Sequence, residues 1–142
     1  MTQLRETVRV DLPGRAYDIV IGPGVLAQAG DLIAPQLRRK RVVIVTDENV
    51  AAAQMRSLQE GLQDAGITSE ALILPPGEAT KGWEQFSRTV EWLIAQKVER
   101  GDVVIAFGGG VIGDLAGFAA AVVRRGVRFV QIPTSLLAQV DS

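Results

Sequence analysis

Hydrophobic positions in this chain recur at two alternating periods. Thr7 to Leu12 alternates polar and apolar residues, Pro13-Gly14 breaks the run, and Tyr17 to Ile21 resumes it. Period two on either side of a Pro-Gly pair predicts a β-hairpin. Gly22-Pro23-Gly24 punctuates, and Val25, Leu26, Ala29, Leu32, Ile33 and Leu37 then recur at helical spacing. Arg41 to Thr46 is an almost unbroken apolar run, the pattern of a strand buried on both faces. Ala51, Met55, Leu58, Leu62 and Ala65 form one helical stripe, ended by Gly66. Ser69 to Leu74 reads as the next strand. Trp83, Phe86, Val90, Leu93, Ile94 and Lys97 mark another amphipathic helix facing the core. Val103 to Phe107 is a strand, Leu115 to Val123 a helix of small residues, and Val127 to Ile132 a final strand. Such alternation predicts an α/β fold with a mostly parallel sheet, helices on both faces and the N-terminal hairpin at one edge.

The stretch from Asp102 to Asp114, DVVIAFGGGVIGD, carries the most chemistry. A β-branched apolar strand runs into three consecutive glycines, whose backbone amides no Cβ covers. A helix starting near Val111 would aim its free N–H groups and positive dipole end at the same place. The natural occupant is a pyrophosphate, which makes the sheet Rossmann-like; a glycine-rich βα turn with nothing bound is the other reading. Gly108, Gly110 and Gly113 satisfy the spacing G-x-G-x-x-G, but no acidic residue ends the next strand, VRFVQIP. A bound ribose would have to be read from elsewhere, and Asp47 is the best-placed residue.

Composition narrows the chemistry further. One domain with a real core fits into 142 residues. A net charge of −1 gives no reason to expect a nucleic-acid or anionic-membrane partner. The absence of cysteine excludes disulfides and thiolate chemistry, and the absence of histidine removes the commonest general base and zinc ligand. The N-terminus lacks the apolar core of a signal peptide, and Leu115 to Val123 is about half the length of a membrane span. These features predict a soluble, cytoplasmic protein.

In open parallel sheets ligands lie beyond the carboxyl ends of the strands, so polar residues there are the candidates. Asp47 and Asn49 follow the first parallel strand; Glu78 and Lys81 follow the second. The glycines and Asp114 follow the third, and Thr134 and Ser135 the last. Asp47 suits either a ribose hydroxyl or a helix N-cap. Lys81 near a helix start, where the dipole disfavours a cation, suits a phosphate. Asp114, set in an apolar stretch, is expected to be partnered, because an unpaired buried carboxylate is costly. Arg124 and Arg125 end the small-residue helix, where dipole complementarity alone accounts for cations. Trp83, Phe86 and Trp92 are assigned to packing. Pro133-Thr134-Ser135 opens a helix that has little more than two turns of sequence left, so 1–142 is expected to be the N-terminal α/β domain of a longer protein.

GGGVIGDLAGF, the pair Arg125-Gly126 and QIPTSLLAQVDS, preceded in order by TDENV (Thr46 to Val50) and PPGEATK (Pro75 to Lys81), resemble the 3-dehydroquinate synthase family. The resemblance implies conversion of 3-deoxy-D-arabino-heptulosonate 7-phosphate to 3-dehydroquinate and phosphate, with tightly held NAD and a divalent zinc or cobalt ion. It places Asp47 and Asn49 at the adenosine end, and adds Pro76, Gly77, Glu78 and Lys81 to the NAD site. Gly109, Gly110, Val111, Ile112, Gly113 and Asp114 would cradle the pyrophosphate, with Thr134 and Ser135 near the nicotinamide. Arg125 would bind substrate phosphate or carboxylate, across a homodimer interface, and Asp141 a substrate hydroxyl. The family's metal ligands, a glutamate and two histidines, belong to a C-terminal helical domain absent from this sequence, so the fragment alone is expected to be inactive. The remaining alternatives are another sugar-phosphate cyclase, a metal-dependent alcohol or glycerol dehydrogenase, and a nucleotide-binding module without chemistry of its own.

Overall fold

The computed structural model describes residues 6–12, 15–21, 26–77, 82–124 and 127–133. Six strands form one sheet in the order β1-β2-β6-β5-β3-β4. β1 (Glu6–Leu12) and β2 (Arg15–Ile21) are the expected antiparallel hairpin, and β1 is an edge. β2 pairs in parallel with β6 (Arg128–Pro133), and β6, β5 (Val103–Gly108), β3 (Arg41–Asp47) and β4 (Thr68–Leu74) continue in parallel.

The two central strands explain the apolar runs. All six residues of β5 and five of the seven in β3 are buried, because each strand is covered on both faces. On one face, Met55, Leu58 and Leu62 of α2 (Glu48–Asp64) and Ile33 of α1 (Ala29–Ile33) pack on Val42, Ile44, Ile105 and Phe107. On the other, Leu93 of α3 (Trp83–Ala95) and Ile112, Leu115, Ala116 and Ala119 of α4 (Gly110–Val123) pack on Val43, Val45, Val104 and Ala106.

Two helices depart from the sequence expectation. The helical spacing from Val25 to Leu37 yields only the short α1, followed by a 3-10 turn at Ala34–Gln36. Pro35 has no N–H to continue an α-helical ladder, and Leu37 is already extended. In α3 the six-residue stripe is too wide to face one way. Trp83 is 77% and Ile94 60% exposed, Thr89 and Leu93 take the buried positions, and Lys97 lies beyond the helix with φ 56°.

The amino end of the sheet is fastened by an ion pair between residues 63 apart in sequence. Arg39 donates from Nε and Nη2 to the Asp102 carboxylate at 3.0 and 2.7 Å, and the Glu99 amide donates to the same group at 2.8 Å. Burial alone would raise the Asp102 pKa, but the Arg39 and Glu99 hydrogen bonds and the charges of Arg39 and Arg41 outweigh it, so the carboxyl is held below the usual value. The functional candidates lie at the opposite end.

Candidate functional site

β3 and β5 are neighbours, with Thr46 in register with Phe107, yet they lead to opposite faces. β3 runs into α2 on one side of the sheet and β5 into α4 on the other. Their carboxyl ends therefore flank a crevice at a topological switch point, where open α/β sheets hold ligands. The Thr46 hydroxyl, fully buried, donates to the Phe107 carbonyl at 2.7 Å and ties the two strands at the floor of that crevice. In the sequence Thr46 stands out only as a lone hydroxyl at the end of an apolar strand.

At the β3 end, Asp47 is extended and its Oδ1 accepts the Val50 N–H at 2.9 Å, so it caps α2. The capping role is realised with one carboxylate oxygen, and the group remains half-buried rather than enclosed. Asn49 lies exposed in the first turn of α2. After β4, Pro76 is half-buried, and Gly77 turns the chain with φ 70°, a conformation that suits glycine.

At the β5 end, Gly109 is the N-cap of α4 and no side chain caps the helix. The Gly113 N–H donates to the Gly109 carbonyl at 3.0 Å, which starts the helical ladder and leaves the amides of Gly110, Val111 and Ile112 at the open end. A Cβ added to Gly110 would meet nothing within 4 Å, so the helix start is open on that side. Gly113 does a different job. A Cβ there would run into the Gln131 side chain, so this glycine leaves room for that side chain of β6 beside α4. No acidic residue lies in the first turn of α4, where the positive end of its dipole falls.

Asp114 corrects an expectation. It is exposed rather than buried and in need of a partner, because four residues from Phe118 it falls on the outer face of α4. It joins Gly82, Trp83, Phe86, Val111, Leu115 and Phe118 in lining a cavity of about 410 Å³ beside the open helix end. The Trp83 ring lies tilted by 34° to Phe86 with centroids 5.4 Å apart, and Phe86 meets Phe118 edge-on at 5.9 Å. Phe86 and Trp92 pack against the core as assigned, whereas Trp83 lies mostly on the surface. Arg124, expected to complement the α4 dipole, is extended and exposed just past the helix. Glu78, Lys81, Arg125, Thr134, Ser135 and Asp141 lie outside the described residues.

Among the described residues no three His, Cys, Asp or Glu side chains cluster as metal ligands. No described helix is long and apolar enough to cross a membrane.

Strand order, switch point and open helix end define a Rossmann-like α/β domain. The family model for the N-terminal part of 3-dehydroquinate synthase matches residues 71–142, and the chain belongs to the 3-dehydroquinate synthase family. It is 71% identical over 139 residues to a 3-dehydroquinate synthase of Ruegeria sp. (strain TM1040), and 68% identical over the same length to one from Ruegeria pomeroyi. These alignments take in 98% of this chain but 37% and 38% of those proteins, so the chain spans a little over a third of their length. A solved 2-epi-5-epi-valiolone synthase from Streptomyces hygroscopicus subsp. jinggangensis, with NAD+ and Zn2+ bound, is 30% identical with a TM-score of 0.72, covering 88% of this chain and 34% of that one. A 2-deoxy-scyllo-inosose synthase shares the fold with a TM-score of 0.74 at 24% identity, over 91% of this chain and 36% of that one.

Proposed function

We propose that this chain is the NAD-binding part of a 3-dehydroquinate synthase. The observation that carries the reading is the uncapped α4 terminus at the switch point, with open space where a Gly110 side chain would stand. A diphosphate fits there: three amides and the dipole end meet its charge without a competing carboxylate in the first turn. Bound NAD supplies a hydride acceptor that returns the hydride within one turnover. This chain's own residues orient the dinucleotide. Gly109 to Ile112 hold the diphosphate by main-chain hydrogen bonds, Asp47 meets a ribose with its free carboxylate oxygen beside Asn49, and Pro76, Gly77, Glu78 and Lys81 close that side. Gly113 and Asp114 complete the diphosphate cradle, while Thr134 and Ser135 serve the nicotinamide half.

In the whole enzyme the substrate is 3-deoxy-D-arabino-heptulosonate 7-phosphate and the products are 3-dehydroquinate and phosphate, with Arg125 and Asp141 as substrate contacts. The described residues do not fit a divalent metal, so the zinc or cobalt of the complete enzyme takes its ligands elsewhere. The working form is a cytoplasmic homodimer.

Calorimetric titration with NAD+ tests the reading. The chain is expected to bind weakly, Gly110→Val and Lys81→Ala to bind less, and no variant to release phosphate from the sugar-acid substrate. Equal NAD+ affinity in wild type and Gly110→Val would remove the cradle from the account.

A further inference from the structure

β6 sends alternate side chains to opposite faces of the sheet. Val130 and Ile132 enter the core on the α2 side and Phe129 packs on the α4 side, so Gln131, between Val130 and Ile132, also faces α4. α4 crosses these two residues of β6 on glycines one turn apart. A Cβ on Gly117 would stand 3.2 Å from the Phe129 ring, and one on Gly113 would strike the Gln131 carboxamide. Gln131 is thus a polar group in an apolar layer: its register partner on β5 is Ala106, and the core beside it is aliphatic and aromatic. It is half-buried, and among the described residues none hydrogen-bonds its carboxamide. A helical Cβ points toward the helix N-terminus, so the carboxamide that Gly113 makes room for lies beside the turn begun by Gly109 and Gly110. That turn is the diphosphate cradle.

We infer that Gln131 is a further cofactor-binding residue, whose carboxamide hydrogen-bonds the nicotinamide half of the dinucleotide where it leaves the cradle. In the strand order β6-β5-β3, the cradle at the end of β5 stands between Gln131 on β6 and Asp47 at the end of β3. With the adenosine half at Asp47, the dinucleotide crosses the cradle and carries its other half to the β6 side. The ribose and carboxamide of that half offer donors and acceptors, and a glutamine carboxamide matches both. An apolar side chain would fill the same layer without leaving a polar group unpaired, so a glutamine there is explained by a ligand that pairs it. The inference rests on the reading of the α4 start as the diphosphate site.

Calorimetric titrations of the whole 142-residue chain with NAD+ and with ADP give the test. ADP carries the diphosphate and the adenosine half alone. Gln131→Met keeps the length of the side chain and removes its polar atoms. It is expected to lower NAD+ affinity by up to about tenfold and to leave ADP affinity unchanged. Its melting temperature, followed by circular dichroism, is expected to equal or exceed that of wild type, because an apolar side chain suits the layer. A merely structural role would instead weaken both ligands alike. Equal losses for NAD+ and ADP, or an unaltered NAD+ affinity, would overturn the inference and leave the cradle standing. Failure of wild type to bind NAD+ at all would remove the cradle and the inference together.

Discussion

The Thr46 hydroxyl and the Phe107 carbonyl, 61 residues apart, meet at 2.7 Å where two neighbouring strands part to opposite faces of the sheet. That bond fixes the floor of the crevice between the α2 and α4 termini. Thr46→Val keeps the shape and removes the donor. The expected cost is about 1 kcal/mol, read as a lowered urea midpoint with unchanged slope.

Asp47 is asked to do two things, and substitution can separate them. Asp47→Ala loses the bond to the Val50 amide and should destabilise the chain by about 1 kcal/mol. Asp47→Ser restores a cap without a carboxylate, so thermal melting should recover while NAD+ affinity stays low. Recovery of both in Asp47→Ser would leave Asp47 as a cap alone.

Two helix-start glycines should respond in opposite ways. A Cβ on Gly30 would strike the Gly61 carbonyl and Ala65 where α1 crosses α2, and backbone there cannot give way cheaply. Gly30→Ala is expected to cost about 1–3 kcal/mol. Gly110→Ala meets open space and should leave the melting temperature unchanged or raised.

Acid sensitivity should trace to the far end of the sheet. The folded Asp102 carboxyl has a lowered pKa, so its contribution to stability is present above the unfolded value of about 4 and lost as the pH falls through the folded value. Asp102→Asn should flatten that acid limb and cost about 1 kcal/mol near neutral pH, a modest figure because Arg39 is 45% exposed. Urea midpoints of both proteins from pH 6 down to pH 3 give the comparison.

Much of this was legible in the residues. The runs RVVIVT and VVIAF carry their burial on their face, since only strands covered on both sides afford such continuous apolar stretches. The glycine loop announced its open amides because glycine has no side chain to hide them. Other features depended on phase or on partners distant in sequence. Asp114 reads as buried among apolar neighbours, but its outward position follows from where α4 begins. Trp83 joins a helical stripe on paper and falls off its edge once α3 has docked through Thr89 and Leu93. The Arg39–Asp102 pair joins positions that no local pattern connects.

The central claim is that NAD lands on the start of α4 beside the end of β3. An amide-resolved NMR titration of the isotope-labelled chain with NAD+ reads that position directly. Saturable shifts are expected at Gly110, Val111 and Ile112 and at the start of α2 around Asp47, with Arg39 and Asp102 unmoved. Shifts centred elsewhere, or none at millimolar NAD+, would contradict the account.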